Sequence, residues 1–271
     1  MNQSIAIITG AGSGLGQHLA QTLFAQGYHL YLTDINLENT RKLLPAQETI
    51  RYEILDVRDR DAWQQLLHTV IDDFGSIDYL FNMAGMIQPG FIFNAELDLV
   101  DRHIDINAKG SIYGTKIIGD YMKTRGRGHI INIASLAGIA PVPGIAYYTA
   151  SKFAIRGFSL AAAYEYEPFG VAVSVVCPDL VKTPMLDLQL NFQDETDLVF
   201  SGNSRPLQPA DVTCAILALM KSKKREISIP ASRGLLARLA SIWPSLADLL
   251  RMNLLKKGRR NKARLQGSKP S

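Results

Sequence analysis

The 271 residues contain only two cysteines, Cys177 in an apolar strand-like run and Cys214 in a helical one. Such a pair makes no disulfide framework, so a reducing, cytoplasmic setting is expected. No apolar run approaches the ~20 residues that a bilayer-spanning helix needs, and a soluble protein is expected. The opening MNQSIAIITGAG enters a strand almost at once, with no basic segment or cleavage site, which argues against a signal peptide. The five histidines, His18, His29, His68, His103 and His129, show no ligand spacing, so no metal site is expected. Internal repeats and low-complexity linkers are missing too.

The chain does have short apolar, β-branched runs alternating with longer helical patterns. IAIIT near residue 5 and VAVSVV near residue 171 are apolar at nearly every position. Strands of that kind are covered on both faces, as in a parallel sheet. Seven such runs, from Ser4–Thr9 to Glu226–Ile229, predict a single α/β domain. Its architecture is a Rossmann-like, doubly wound parallel sheet of about seven strands with helices on both faces. No break appears before about residue 232, so residues 1–232 form the expected catalytic domain and 233–271 an extension.

The first run ends in Thr9-Gly10-Ala11-Gly12-Ser13-Gly14-Leu15-Gly16 and passes directly into a helical pattern. Glycines between strand and helix let backbone N–H groups approach a pyrophosphate, and the helix N-terminus adds positive charge. No Gly-Lys-Ser/Thr follows, which excludes a P-loop. Asp34 closes the second run about 20 residues on, where a carboxylate can take both ribose hydroxyls and repel a 2′-phosphate. Ser13, Leu15 and Ile35 offer no cation there, so NAD(H) is expected in preference to NADP(H). Asp56, after the third run, suits either the adenine edge, with Val57 beside it, or a cap for the next helix.

Tyr148 and Lys152 lie four apart in a helical window, within about 40° on one face, whereas Tyr147 points about 140° away from that lysine. Ionising a free tyrosine at pH 7 costs about 4 kcal/mol, and a nearby ammonium is expected to lower that cost.

Taken together, the glycine loop, Asn82-Met83-Ala84-Gly85, Asn107, Ser135 and Tyr148-x-x-x-Lys152 resemble the short-chain dehydrogenase/reductase family over roughly residues 4–230. The resemblance implies an oxidoreductase that moves a hydride between nicotinamide and a secondary alcohol or ketone. It implies Tyr148 as acid/base and Ser135 as hydrogen-bond donor to the substrate oxygen. Lys152 would bind the nicotinamide ribose, and Asn107 would hold a relay water. Cofactor contacts are implied at Gly10, Ser13, Gly14, Leu15, Gly16, Asn82, Ala84, Gly85, Tyr148, Lys152, Pro178, Val181 and Thr183. A homodimer or homotetramer is implied as well. Met83 departs from the family's usual second Asn, and Asp179 stands where Gly usually follows the Pro. Asp179 is the one local reason to consider a cofactor-binding sensor without turnover.

The stretch from 184 to 208 is long for a loop, and its first half is apolar, with Met185, Leu186, Leu188, Leu190 and Phe192. By resemblance it covers the substrate. An apolar pocket implies a hydrophobic steroid-, retinoid-, acyl-chain- or aryl-ketone-like substrate, although plain packing of lid on body reads equally well.

Charge divides unevenly. Residues 1–220 carry 15 Lys+Arg and 23 Asp+Glu (15 − 23 = −8), and residues 221–271 carry 14 and 2 (14 − 2 = +12). Leu235, Leu239, Ile242, Leu246 and Leu249 recur at helical spacing, and Pro244 predicts two short helices. The run Lys256–Arg264 is expected to be mobile. Residues 233–264 suit peripheral contact with an anionic membrane, as in a membrane-surface adaptor, or packing on protein. Nucleic acid is not expected, since no recognition fold accompanies the charge.

Overall fold

A computed structural model describes residues 4–202 and 205–267 of the chain. Seven strands form one sheet: β1 (Ile5–Thr9), β2 (His29–Asp34), β3 (Ile50–Ile54), β4 (Tyr79–Asn82), β5 (Gly128–Ile133), β6 (Val171–Pro178) and β7 (Glu226–Ile229). They stand in the order β3-β2-β1-β4-β5-β6-β7, and every pairing is parallel. All five residues of β1 are buried, as its unbroken apolar run requires.

The pleat of β1 divides its side chains between two layers. Ala6 and Ile8 face a core built with α1 (Gly14–Ala25), through Leu19 and Leu23. Ile5 and Ile7 face the core that contains Trp63, Leu66 and Val70 of α3, which follows α2 (Glu38–Leu43) and spans Arg60–Phe74. Asp59 caps α3 by accepting from the Asp61 and Ala62 amides, so Asp56 is released from the capping alternative.

The long helix expected near residues 97–124 is continuous but not uniform. α4 (Asp98–His103) passes through a wider π turn at Ile104–Lys109 into α5 (Gly110–Arg125). Such a turn inserts a residue into the ladder and is common at functional sites. Asn107 lies within it. α6 (Ala146–Tyr166) carries Tyr148 and Lys152, and α7 (Pro184–Leu190) begins the stretch expected as a lid. α8 (Pro209–Ser222) joins α1 on its face of the sheet through Val212, Ile216 and Leu219.

The C-terminal segment differs from expectation. α9 (Ala231–Ile242) does end before Pro244, but α10 (Pro244–Gly267) is one helix of 24 residues that includes the whole basic run. Its cations explain why the run orders. Lys262 Nζ donates to the Phe192 and Gln193 carbonyls, and Arg259 Nε meets Asp197 Oδ2 at 2.6 Å. Asn261 Nδ2 donates to the Phe200 carbonyl at 2.9 Å, and Leu265 joins Leu186, Leu190 and Phe200. Gly258 fits where any Cβ would lie 1.8 Å from the Asp197 carbonyl oxygen. Residues 1–3, 203–204 and 268–271 of the expected units lie outside the described residues, as do the side chains of Leu246 and Leu249. Among the described residues, no helix is long and apolar enough to cross a membrane.

Candidate active site

The sheet order reverses between β1 and β4, and a crevice opens there at the carboxyl ends of the strands, where open α/β sheets bind ligands. The glycine loop fills its floor. Gly10 has φ +64°, and a side chain on it would come within 2.7 Å of the Ala84 backbone. A Cβ on Gly16 would lie 2.2 Å from the Gly10 carbonyl oxygen. Only hydrogen fits at either position, so α1 starts close against the strand ends.

One cavity of about 1460 Å³ runs from this loop to the C-terminal helices. Gly10, Ser13, Gly14, Leu15 and Gly16 line it at the loop. Asp34, Asp56 and Val57 line its far end. Ala84, Gly85, Pro178, Val181 and Thr183 line its middle, together with Ser135, Tyr148 and Lys152. Asp34 Oδ2 accepts from the Gly12 amide at 2.9 Å, which ties the end of β2 to the loop. Thr183 immediately precedes α7.

Two expected site residues, Asn82 and Asn107, do not line the cavity themselves, although Asn107 Oδ1 reaches the space beside Gly85. Asn82 is buried in a polar knot, where its Nδ2 donates to Ser111 O (3.2 Å), Thr115 Oγ1 (3.3 Å) and Asn132 Oδ1 (2.8 Å). It braces β4 against α5 and β5. Asn107 accepts from the Met86 amide at 2.7 Å and donates to Met86 O and Ser151 Oγ. It fastens the turn after β4 to α6.

Tyr148 and Lys152 share one face of α6, with the ammonium 5.5 Å from the ring centre. Lys152 Nζ donates to the Ile133 carbonyl at 2.9 Å, and the Ser135 hydroxyl stands close enough to the phenol to favour its ionised form. Ser135 Oγ also accepts from the Ala137 amide at 3.1 Å, which holds the hydroxyl at the end of β5. Burial pushes the Tyr148 phenol up to about 12, and the Ser135 hydroxyl pulls it part of the way back. Burial also pushes the Lys152 ammonium down to about 8. With protein groups alone, desolvation of the phenolate therefore outweighs the help expected from the ammonium.

Several lining residues were invisible in the sequence. Arg58 pairs with Asp56, Nε to Oδ1 at 2.9 Å, so a cation does stand at the far end of the cavity. Thr149 presents a buried hydroxyl with no hydrogen-bond partner among the described residues. Arg233, Leu236 and Leu239 of α9 and Arg251 and Leu254 of α10 close the opposite end. A helical leucine pattern marks α9 as amphipathic but does not reveal which cavity it lines.

The cavity suits a dinucleotide on its own geometry. Side chains are excluded at Gly10 and Gly16, and a buried ammonium has one carbonyl for its three donors.

The short chain dehydrogenase profile matches residues 4–193. A 3-alpha-(or 20-beta)-hydroxysteroid dehydrogenase of Mycobacterium tuberculosis is 32% identical over 217 residues, which cover 79% of this chain and 81% of that protein. Two solved structures share the fold, each at a TM-score of 0.76. ElxO with NADP bound is 24% identical and covers 84% of this chain and 97% of its own. A 4-hydroxyisoleucine dehydrogenase complexed with NADH is 22% identical and covers 83% and 96%. Profile, relatives and sheet topology agree, and the chain belongs to the short chain dehydrogenase family.

Proposed function

We propose that the protein is an NAD(H)-dependent oxidoreductase that interconverts a hydrophobic secondary alcohol and its ketone. The observation that carries this reading is the meeting of Ser135, Tyr148 and Lys152 in the cavity that the glycine loop floors. A bound nicotinamide dinucleotide would supply or accept the hydride. Gly10, Ser13, Gly14, Leu15 and Gly16 would hold its pyrophosphate, Asp34 the adenosine ribose, and Asp56 and Val57 the adenine edge. Ala84, Gly85, Pro178, Val181 and Thr183 would flank the rest.

In reduction, Tyr148 gives its proton to the carbonyl oxygen, and Ser135 donates a hydrogen bond as alkoxide charge develops. Oxidation runs the same proton backwards. Lys152 would hold the nicotinamide ribose and, being positive beside the phenol, favours its loss of the proton. A side chain at Gly85 would lie 3.3 Å from Asn107 Oδ1 and 3.5 Å from Lys152 Nζ, so the space beside Gly85 is where a water could join the two.

The apolar lining from Met185, Val199, Leu236 and Leu239 supports a hydrophobic substrate, and so does the hydroxysteroid activity in the name of the mycobacterial relative. In this reading residues 1–232 are the catalytic unit, 184–208 a lid and 233–271 an extension that completes the pocket, within a homodimer or homotetramer.

Tyr148→Phe is the test. It should abolish NADH-coupled turnover in a screen of hydrophobic ketones and alcohols while NADH still binds. Turnover at the wild-type rate would remove the proposed acid/base.

A further inference from the structure

The end of the cavity opposite Asp34 carries side chains that water does not favour. Ile92, Leu236 and Leu239 line the cavity and are 63%, 56% and 47% exposed. Their chain neighbours extend the apolar surface outward: Phe93 (81%), Ile242 (77%) and Trp243 (69%). Two separate segments, residues 92–97 and 235–243, thus border the same cavity with exposed apolar groups. The inward side of α9 is accounted for otherwise. Arg233 pairs with Asp179, Arg238 pairs with Glu226, and Gly234 abuts Ser228. Exposed apolar surface concentrated at a pocket mouth marks a contact site.

Charge identifies the occupant. Residues 221–271 carry a net +12, against −8 for the rest of the chain. Arg259 and Lys262 are turned to the lid, whereas Arg251, Lys256, Lys257 and Arg260 of α10 are exposed, and Arg251 also lines the cavity. Glu96 and Asp98 flank Leu97, so the 92–97 segment contributes apolar contact and α10 contributes the cations. A second copy of the chain is a poor fit, because a two-fold contact would set this cationic region against itself. Exposed leucine, isoleucine and tryptophan beside lysine and arginine match an anionic bilayer surface.

We propose that this protein docks on anionic lipid through α9, α10 and residues 92–97, with the mouth of its cavity against the membrane. A hydrophobic substrate would then pass between bilayer and pocket without crossing water. The docking itself stands apart from the catalytic reading, and the route for substrate rests on that reading.

Tryptophan fluorescence reports the docking directly. The protein has two tryptophans, and Trp63 is fully buried while Trp243 is exposed. The full chain should pellet with phosphatidylcholine vesicles that contain phosphatidylserine, and brominated acyl chains should quench Trp243. Leu235→Ser combined with Ile242→Ser should weaken that partition by about tenfold or more, and Lys256→Glu with Lys257→Glu should do likewise. Neither pair lines the cavity, so NADH binding should survive in both. An unquenched Trp243, or apolar and charge variants that partition like wild type, would overturn the docking. So would sedimentation showing that the Leu235/Ile242 pair instead breaks a dimer in the absence of lipid. None of these measurements needs turnover, so their failure is distinct from a failure at Tyr148.

Discussion

Asp179 Oδ2 accepts from Arg233 Nε at 3.1 Å, which ties the residue after β6 to the first turn of α9. The carboxylate is largely buried (13% exposed), and its Oδ1 accepts from the Leu180 amide at 2.9 Å. A side chain at Gly202 would lie 3.0 Å from Asp179 Oδ2 and 3.1 Å from an Arg233 terminal nitrogen, so the lid backbone also packs on the pair. The carboxylate that departs from the family's usual glycine therefore has a local reason: it anchors the C-terminal helices to the rim of the pocket.

Breaking this pair should loosen α9. Asp179→Ala leaves a partly buried guanidinium unpaired and should cost about 1–3 kcal/mol, below the range for fully buried pairs. In a double-mutant cycle, Asp179→Ala with Arg233→Ala should lose less stability than the two single changes summed. Strict additivity in chemical denaturation would show that the two side chains are not coupled.

Asp34 should govern the choice of cofactor. Wild type should bind NADH more tightly than NADPH, and Asp34→Asn should narrow that preference by about tenfold or more. The amide keeps an oxygen for the Gly12 N–H, so the loop need not collapse. Arg58 stands nearby but is paired with Asp56. Equal affinities of the wild type for the two cofactors, measured by fluorescence titration, would remove the role given to Asp34.

Lys152 gives the protein without cofactor a pH signature. Its folded pKa of about 8 is below the ordinary lysine value of 10.5. Between these values the unfolded chain binds more protons than the folded one, so this group makes stability rise with pH across that window. Lys152→Met removes the buried cation. Its melting temperature relative to wild type should be most favourable below pH 8 and should fall steadily towards pH 10.5. A difference that does not vary with pH would argue against a desolvated ammonium.

The two thiols should differ sharply. Burial pushes Cys177 up to about 12, while Cys214 is exposed on α8. A disulfide reagent at pH 8 should modify one thiol per native chain, and the second only after unfolding. Two fast-reacting thiols in the native protein would contradict the packing of β6.

Much of the fold was legible because parallel strands are apolar on both faces. Runs such as those at β1 and β6 need no partner information to be recognised. The glycine loop and the Tyr148–Lys152 spacing were legible for a similar reason, since each is a local geometry within a few residues. Asn82 and Asn107 were harder. Both were expected at the site on motif grounds, yet their side chains answer to Asn132, Thr115, Met86 and Ser151, which lie far away in sequence. The basic run was expected to be mobile because only the charges of Lys256–Arg264 are visible in one dimension. The carbonyls and Asp197 that receive those cations are not.

What the chain determined by itself is the set of elements and the chemistry each carries: seven strands, a phosphate-compatible loop, and a phenol with an ammonium one helical turn on. Those follow from periodicity and short-range sterics. Tertiary structure decided which groups share a cavity, where the C-terminal helices close it, and how far burial shifts Tyr148 and Lys152. Desolvation and long-range pairing depend on distances between residues some 19 to 70 positions apart, and no local pattern of side chains encodes them.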